Sequence, residues 1–215
     1  MNSLTLAVCL KAVWRTDVAL RLAESGGVRP DGAVPVLNPA DGAALAMALH
    51  LRSTLRLRSG QREGPAPGTQ QTAKAVAEPR VLAISVGPAD WEPVLQAALA
   101  AGADEVLRVW PAVWPEGMDA SASRPLDGSG ARTFMHAALA AAALRPPLAA
   151  GALLVLTGES SADEGHGCFG AFLAQALGLG IAHRVKSLEP APTDERAGWS
   201  ALVKLERGYT QELTL

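Results

Sequence analysis

The chain has 215 residues with a formal charge of −2, and 49% of them are hydrophobic, which is enough for one domain with a sizeable core. This charge balance, with no cluster of Lys or Arg on a helical face, argues against nucleic-acid binding and against a membrane-surface role. Cys9 and Cys168 make no disulfide framework and lack zinc-ligand spacing, so no metal site is expected and a cytoplasmic location is the default.

The first predicted strand is the continuous apolar run Thr5–Leu10, with Lys11 at its carboxyl end. No positively charged segment precedes this short run, so we interpret it as a strand and not as a signal peptide. The stretch Trp14–Pro30 is irregular and polar, and Val34–Leu37 is a candidate short strand. Membrane insertion is not expected, because the longest alanine-rich run, Ala137–Leu144, is too short to cross a bilayer.

The dipeptide Asn38-Pro39 predicts the start of a helix that runs to about Leu55. Asn38 is the candidate cap, and Asp41 falls in the first turn, where the helix dipole favours a negative charge. Two roles fit Asn38: capping alone, or a cap that also presents its turn to a nucleotide. The segment 56–80 is rich in Pro, Gly, Gln and Thr, which predicts a flexible surface insertion.

The second buried strand is Val81–Val86, and the helix after it has Asp90 as its candidate cap and Gly102 as its stop. A third strand follows at Glu105–Trp110, and Pro111–Ser129 is again irregular.

An alanine-rich helix is predicted for Ala131–Leu144 and should end at Pro146-Pro147, because proline lacks the N–H donor of a helix. The fourth strand, Leu153–Thr157, leads through a loop into a helix at Ala171–Leu177. The last segments alternate in polarity and predict antiparallel strands joined by a turn at Asp194–Gly198: Ile181–Leu188, Trp199–Leu205 and the edge strand Gln211–Leu215.

Strands and helices alternate as far as residue 180, which predicts one α/β domain over residues 1–215. The expected fold is a doubly wound, mostly parallel sheet with helices on both faces and a C-terminal antiparallel hairpin. Such sheets bind ligands at the carboxyl ends of their strands, where the strand order reverses. We therefore expect one crevice to be lined by the segments that end or fold over this edge: Cys9 to Lys11, Asn38–Asp41, Ser85–Pro88 and Gly158–Gly170.

The loop Gly158–Gly170 is dense in small and acidic residues and leads from a buried strand into a helix. Small residues let the backbone approach an anion, and the free N–H groups of a first helical turn can donate to it. The alternative is an ordinary strand-to-helix connection whose glycines serve only for turning.

No convincing catalytic constellation occurs in the sequence, so the chain is not expected to be an enzyme by itself. Ser160, Ser161, Asp163 and His166 lie close together, but the segment lacks the closing glycine of a nucleophile elbow. The P-loop motif and the dinucleotide fingerprint do not occur either. Three histidines fall in apolar helix or strand contexts and are interpreted as structural: His50, His136 and His183.

The run TGESSADEGHGCFGAFLAQALG, which holds this loop and the helix after it, resembles the second nucleotide loop of the beta (small) subunit of electron transfer flavoproteins. The resemblance covers nearly the whole chain and implies the adenine nucleotide alpha hydrolase-like version of the predicted fold. Further pieces agree with the family in order and spacing: Leu6–Lys11, Asn38–Asp41, Ser85–Pro88 and Ala98–Asp104.

In this family an alpha (large) subunit holds most of the FAD, and the beta subunit carries a structural AMP or, in bifurcating relatives, a second FAD. The resemblance implies a heterodimeric electron carrier in which this chain pairs with the alpha subunit. Acyl-CoA or N-methyl-amine dehydrogenases would be the partners that donate electrons. The carrier would pass these electrons toward a quinone reductase and the respiratory chain. In the family, an aromatic side chain of the beta subunit often lies beside the flavin shortly after the first strand. The resemblance places this position at about Thr16, and Trp14 is the nearest aromatic residue. Matching positions imply nucleotide contacts from these residues: Cys9, Asn38, Pro39, Ala40, Asp41, Val86, Gly158, Glu159, Ser160, Ser161, Ala162, Asp163, Glu164, Gly165, His166, Gly167, Cys168 and Phe169.

Three of these residues depart from the family pattern. Glu159 stands where the family usually has lysine, and Cys168 and Phe169 replace polar residues, which predicts weak or absent AMP binding. The sequence ends at Leu215, before the family's dehydrogenase-recognition loop and its arm around the large subunit, so altered partner recognition is expected. The alternative function is a stand-alone adenine-nucleotide-binding module without a redox partner, and a small α/β enzyme ranks last.

Overall fold

A computed structural model describes residues 3–15, 17, 19–22, 28–30, 35–61, 78–111, 131–191 and 198–215. The helices are α1 (Pro39–Gln61), α2 (Glu92–Ala101), α3 (Ala131–Ala150) and α4 (Phe169–Leu177). The strands are β1 (Ser3–Cys9), β2 (Ala12–Val13), β3 (Leu20–Leu22), β4 (Val28–Pro30), β5 (Val36–Leu37), β6 (Arg80–Val86), β7 (Glu105–Val109), β8 (Gly151–Thr157), β9 (Val185–Pro190), β10 (Trp199–Lys204) and β11 (Thr210–Thr214).

The main sheet is parallel and has the strand order β7-β6-β1-β8. From β1 the chain adds β6 and then β7 on one side, and it returns to the other side of β1 for β8. The strand order therefore reverses between β1 and β8. At such a reversal the connections leave in opposite directions, and a crevice opens at the carboxyl ends of the two strands.

Helices cover both faces of this sheet. Leu6 and Val8 of β1 belong to the core cluster that includes α1 and α2, whereas Ala7 and Cys9 belong to the cluster that includes α3 and α4. A strand buried on both faces needs apolar side chains at successive positions, which explains the continuous apolar runs of β1 and β6. The predicted α/β class with a mostly parallel sheet is confirmed.

A second sheet follows, in which β9, β10 and β11 pair antiparallel in the order β11-β10-β9. The predicted C-terminal antiparallel strands, including the last edge strand, are thus confirmed. Leu188 and Ala201 join the core cluster around α1, which fixes this sheet to the first face of the molecule. Most of the predicted turn at 194–198 lies outside the described residues.

Two predicted helix ends are wrong. Helix α1 continues past Leu55 to Gln61, so the first part of the predicted insertion is helical, and residues 62–77 lie outside the described part. Helix α3 passes through Pro146 and Pro147 and ends at Ala150. The φ angle of proline is compatible with a helix, so the backbone continues past both residues, although the carbonyls of Ala142 and Ala143 lose the N–H donors that they would otherwise bond.

Other local predictions also need correction. Asp90 does not cap α2, because a 3₁₀ turn at Ala89–Trp91 precedes the helix and already includes Asp90. Helix α4 begins at Phe169 instead of Ala171. The stretch predicted as irregular after Trp14 contains the short antiparallel pair β3 and β4.

Gly102 ends α2 as predicted, with a φ of 110° and its N–H donated to Leu99 O at 2.9 Å. Residues 112–130, most of the other irregular stretch, lie outside the described part. No helix in the described part of the chain is long and apolar enough to cross a membrane.

The glycine after β6 permits a close approach of the Trp91 indole. A Cβ at Gly87 would overlap Trp91 Cε3 and lie 2.7 Å from Cζ3, and the ring itself packs against the core. We therefore expect Gly87→Ala to lower the free energy of unfolding by about 1–3 kcal/mol in urea denaturation. The matched control is Gly42→Ala, whose Cβ would lie at an ordinary 3.6 Å from Leu37 Cδ2 inside a helix, and which should stabilise by about 0.5–1 kcal/mol. Equal stabilities for the two variants would contradict the expectation.

Candidate functional site

A cavity lies at the carboxyl ends of β1, β6 and β8, at the reversal of strand order. It encloses about 690 Å³ of empty space, counted out to its open mouth. Its wall combines strand ends, the first turn of α1, one face of α3 and the loop after β8, with these residues: Cys9, Leu10, Lys11, Asn38, Asp41, Ile84, Val86, Thr133, His136, Ala140, Gly158, Glu159, Ser160, Ser161, Glu164, His166, Gly167 and Phe169.

Asp41 joins the ends of the two strands between which the order reverses. Its carboxylate accepts the N–H of Lys11, after β1, at 2.7 Å, and the N–H of Gly158, after β8, at 3.0 Å. The sequence brings it there because Pro39 starts the helix and an acidic residue suits the first turn. One buried carboxylate thus holds the two sides of the crevice at a fixed separation.

Asn38 fastens the loop after β8 to the same helix start. Its amide donates to Ser160 O at 3.0 Å and accepts the Ala162 N–H at 3.1 Å, and its own N–H donates to Lys11 O at 2.9 Å. The side chain is 2% exposed, so these bonds are shielded from water. The side chain of Asn38 therefore positions the loop over the cavity, while its backbone carbonyl accepts the N–H of Gly42 in α1 at 3.0 Å.

The position of Asp41 has an electrostatic consequence. Burial raises its pKa from 3.8 to about 6, against hydrogen bonds from Lys11, Asn38 and Gly158 and the charge of Lys11, which lower it. The carboxylate is therefore mostly ionised at neutral pH and becomes protonated in mild acid. Protonation adds a hydrogen to one of the two carboxylate oxygens. That oxygen is then a weaker acceptor for the N–H of Lys11 or Gly158.

The ammonium of Lys11 is enclosed by the loop after β8. Its Nζ lies 2.8 Å from Asp163 Oδ1, 3.0 Å from Glu164 Oε2 and 3.3 Å from Ser161 Oγ. Although burial raises the pKa of Asp163, the charge of Lys11 and hydrogen bonds from Lys11, Ser161 and the Glu164 backbone lower it more, and the net shift is downward. The loop and the end of β1 are thus tied by charge as well as by backbone hydrogen bonds.

Helix α3 contributes the far wall. Thr133 and His136 are three residues apart, and Ala140 follows one turn later, so all three lie on adjacent parts of one helix face. Burial and, to a smaller extent, the charge of Lys11 lower the pKa of His136 to about 4, so its ring is neutral at pH 7. Thr133 Oγ1 lies 3.2 Å from Nδ1 of His166, which links α3 to the loop.

Most residues predicted from the family resemblance lie on the wall of this one cavity. The structure brings together the end of β1, the Asn38–Asp41 turn, the end of β6 and the loop after β8, although they are far apart in sequence. Several predicted residues lie beside the cavity and not on its wall: Pro39, Ala40, Ala162, Asp163, Gly165 and Cys168. Thr16 lies outside the described residues, and Trp14 is half-buried and not on the wall.

Two predicted residues have partners that limit what they can do. Burial, followed by the nearby charge of Asp41, raises the pKa of the Cys9 thiol to about 12, so it is an inert part of the wall at neutral pH. Glu159 is exposed, and its carboxylate lies 3.6 Å from Nε of Arg184. This partner reduces the negative charge that Glu159 brings to the mouth of the cavity.

The site residues that the sequence did not indicate come mainly from α3. Thr133, His136 and Ala140 were assigned only to a closely packed helix, and Ile84 only to a buried strand. A usable signal was present, because the polar residues at 133 and 136 extend the same face as the buried residues Ala137 and Ala140 toward the sheet edge. The interpretation of His50 and His183 as structural residues in apolar surroundings is wrong, since both are exposed, and His136 lines the cavity.

The arrangement suits binding better than bond-breaking chemistry. The hydroxyl oxygen of Ser161 accepts hydrogen bonds from Lys11 Nζ and the Glu164 N–H, whereas the hydroxyl beside His166 is that of Thr133. Ser161 and His166 are therefore not paired as the nucleophile and base of a serine hydrolase. Within the described residues, no group of three or more His, Cys, Asp or Glu side chains could hold a metal ion. None of the protein-family models matches the chain, and the search of curated proteins found no match either.

Proposed function

We propose that the chain is a beta-subunit-like protein of the electron transfer flavoprotein type, which binds an adenine-containing ligand and pairs with an FAD-bearing alpha subunit. The observation that carries the proposal is the cavity at the reversal of strand order between β1 and β8. Four of the five segments that carry the family resemblance contribute residues to its wall, and the fifth, Ala98–Asp104, does not. The finer fold assignment, adenine nucleotide alpha hydrolase-like, belongs to the same proposal.

The residues on the wall fit the base and ribose of such a ligand. Leu10, Ile84 and Val86 supply apolar surface, and Thr133 and Ser160 supply hydroxyl groups that can meet ribose hydroxyls. The phosphate of AMP fits less well, because Lys11 is already paired with carboxylates. The pairing of Lys11 supports the expectation of weak or absent AMP binding. It is a second reason for this expectation, besides the departures from the family pattern at Glu159, Cys168 and Phe169.

In this proposal the redox chemistry belongs to the FAD, held mainly by the alpha subunit, and the flavin supplies the electron transfer when it is bound. The present chain supplies position and covers the cofactor. Dehydrogenases for acyl-CoA or N-methyl amines would be the electron donors, with the respiratory chain as acceptor. A cytoplasmic location stays a prediction of the sequence.

A stand-alone nucleotide-binding module is the second candidate. It is supported by the wall that this chain supplies, in which strand ends, the first turn of α1, one face of α3 and the loop after β8 contribute both apolar and polar groups. The two candidates share the site and differ in the need for an alpha subunit.

Co-expression separates the two candidates. We expect the tagged chain, expressed with an electron transfer flavoprotein alpha subunit of the same organism, to elute from size exclusion as a yellow heterodimer with the absorption of oxidised flavin. The matched control is the chain expressed alone, which should elute colourless. If both preparations give a colourless monomer that still binds adenosine, the function as a partner of the alpha subunit is contradicted. The stand-alone nucleotide-binding module is then favoured.

A further inference from the structure

We infer that the cavity accepts an uncharged nucleoside in preference to the corresponding nucleotide, because side chains of the loop after β8 already occupy the cation that would bind a phosphate. The inference rests on the proposed function, which supplies the adenine base. It assigns Lys11, Asp163 and Glu164 as the residues that set the ligand's charge class.

The ammonium of Lys11 is already held by three side chains of the loop. Nζ donates hydrogen bonds to Asp163 Oδ1 at 2.8 Å and to Ser161 Oγ at 3.3 Å, and it forms an ion pair with Glu164 Oε2 at 3.0 Å. The Lys11 side chain is only 22% exposed. Among the described residues on the cavity wall, Lys11 is the one Lys or Arg. A phosphate must therefore compete with two carboxylates and a hydroxyl group for this ammonium.

The surrounding charges do not favour a dianion. Glu164 lies 3.9 Å from Arg132, and Glu159 lies 3.6 Å from Arg184. The ionised side chains at and next to the cavity are then four carboxylates against three cations: Asp41, Glu159, Asp163 and Glu164 against Lys11, Arg132 and Arg184. Repulsion of a phosphate by this excess is stronger in a partly desolvated cleft than in water, and an uncharged nucleoside does not meet it.

The loop's own hydrogen bonds hold the carboxylates in place. The N–H of Glu164 donates to Asp163 Oδ1 at 2.8 Å and to Ser161 Oγ at 3.4 Å, and the N–H of Gly165 donates to Ser161 O at 2.9 Å. Moving Asp163 away from Lys11 would therefore break bonds inside the loop as well as the ion pair. The loop presents a preorganised competitor for the site of an incoming phosphate.

The test is calorimetric titration of the full chain with adenosine and with AMP at pH 7.5 and low salt. We expect the wild type to bind AMP no more tightly than adenosine. The double variant Asp163→Asn/Glu164→Gln should bind AMP about tenfold more tightly or better, since a charged hydrogen bond to Lys11 becomes available, while adenosine binding changes less than about threefold. The matched control, Glu78→Gln/Glu105→Gln, removes two ion-paired carboxylates away from the cavity and should change neither affinity.

Each outcome bears on the inference. If the wild type binds AMP ten times more tightly than adenosine, the proposed selection against charged ligands is overturned, while the adenine site stays in place. A wild type that prefers adenosine, with a double variant that does not gain AMP affinity, would overturn the role of Asp163 and Glu164. Binding of neither ligand to the wild type or to the double variant, with both folded by circular dichroism, would overturn the inference and the proposed adenine site together.

Discussion

Gly158→Ala is expected to lower the free energy of unfolding by about 3 kcal/mol or more, the largest loss for any small substitution at the cavity. A Cβ at this position would overlap Asp41 Oδ1 and lie 2.9 Å from the carbonyl carbon of Ala40. The neighbouring atoms belong to a buried carboxylate and to helix backbone, neither of which can move aside freely. The added methyl would also separate the Gly158 N–H from Asp41.

The matched control for this variant is Gly180→Ala, because a Cβ there would meet nothing within 4 Å and its φ is not positive. Urea denaturation at pH 7 should place this control within about 0.5 kcal/mol of the wild type. Equal unfolding free energies for Gly158→Ala and Gly180→Ala would contradict the close approach of α1 and the end of β8. Gly158→Ala should also lose adenosine binding, because the close approach of α1 to the end of β8 sets the width of the crevice.

The second large effect is a dependence of stability on pH that comes from Asp41. Because burial raises its folded pKa from 3.8 to about 6, the folded state binds a proton over a range in which the unfolded state has lost it. The contribution of Asp41 to stability is therefore fully present below about pH 4 and is lost as the pH rises through about 6. The shift corresponds to about 3 kcal/mol between pH 3 and pH 7.5.

The variant that isolates this effect is Asp41→Asn, which cannot titrate. We expect its free energy of unfolding, minus that of the wild type, to rise by about 3 kcal/mol from pH 3 to pH 7.5. His136 contributes with the opposite sign, because a folded pKa of about 4 makes stability increase with pH as the pH rises toward 6.5. This opposing contribution is common to both proteins and cancels in the difference. A difference that stays constant across the range would contradict the buried position of Asp41.

The strands of the main sheet could be predicted because burial on both faces leaves a pattern that few other structures share. Val81–Val86 and Thr5–Leu10 are continuous apolar runs of strand length, and the predicted bounds agree with β6 and β1 to within two residues. The helix ends could not be predicted in the same way. Stop signals such as Pro146 and Pro147 report only the local backbone, and α3 continues past them to Ala150.

The cavity was partly predictable from the rule that ligands of parallel sheets bind at strand carboxyl ends. Applied to the sequence alone, that rule places the ends of β1 and β6 and the loop after β8 at one edge. The polar residues Thr133 and His136 mark one face of α3, but which part of the sheet edge that face meets depends on packing against the rest of the fold. The bridging role of Asp41 depends equally on tertiary structure, since its partner Gly158 lies 117 residues away.

The most direct test of the account is amide mapping of the ¹⁵N-labelled chain during titration with adenosine. The account predicts that the largest saturable chemical-shift changes fall on the backbone amides of Lys11, Gly158 and His166, which meet only at the cavity. Amides of β9–β11, on the separate antiparallel sheet, should not shift. Absence of any saturable change, or changes confined to the antiparallel sheet, would show that the end of β1 and the loop after β8 do not form a ligand site.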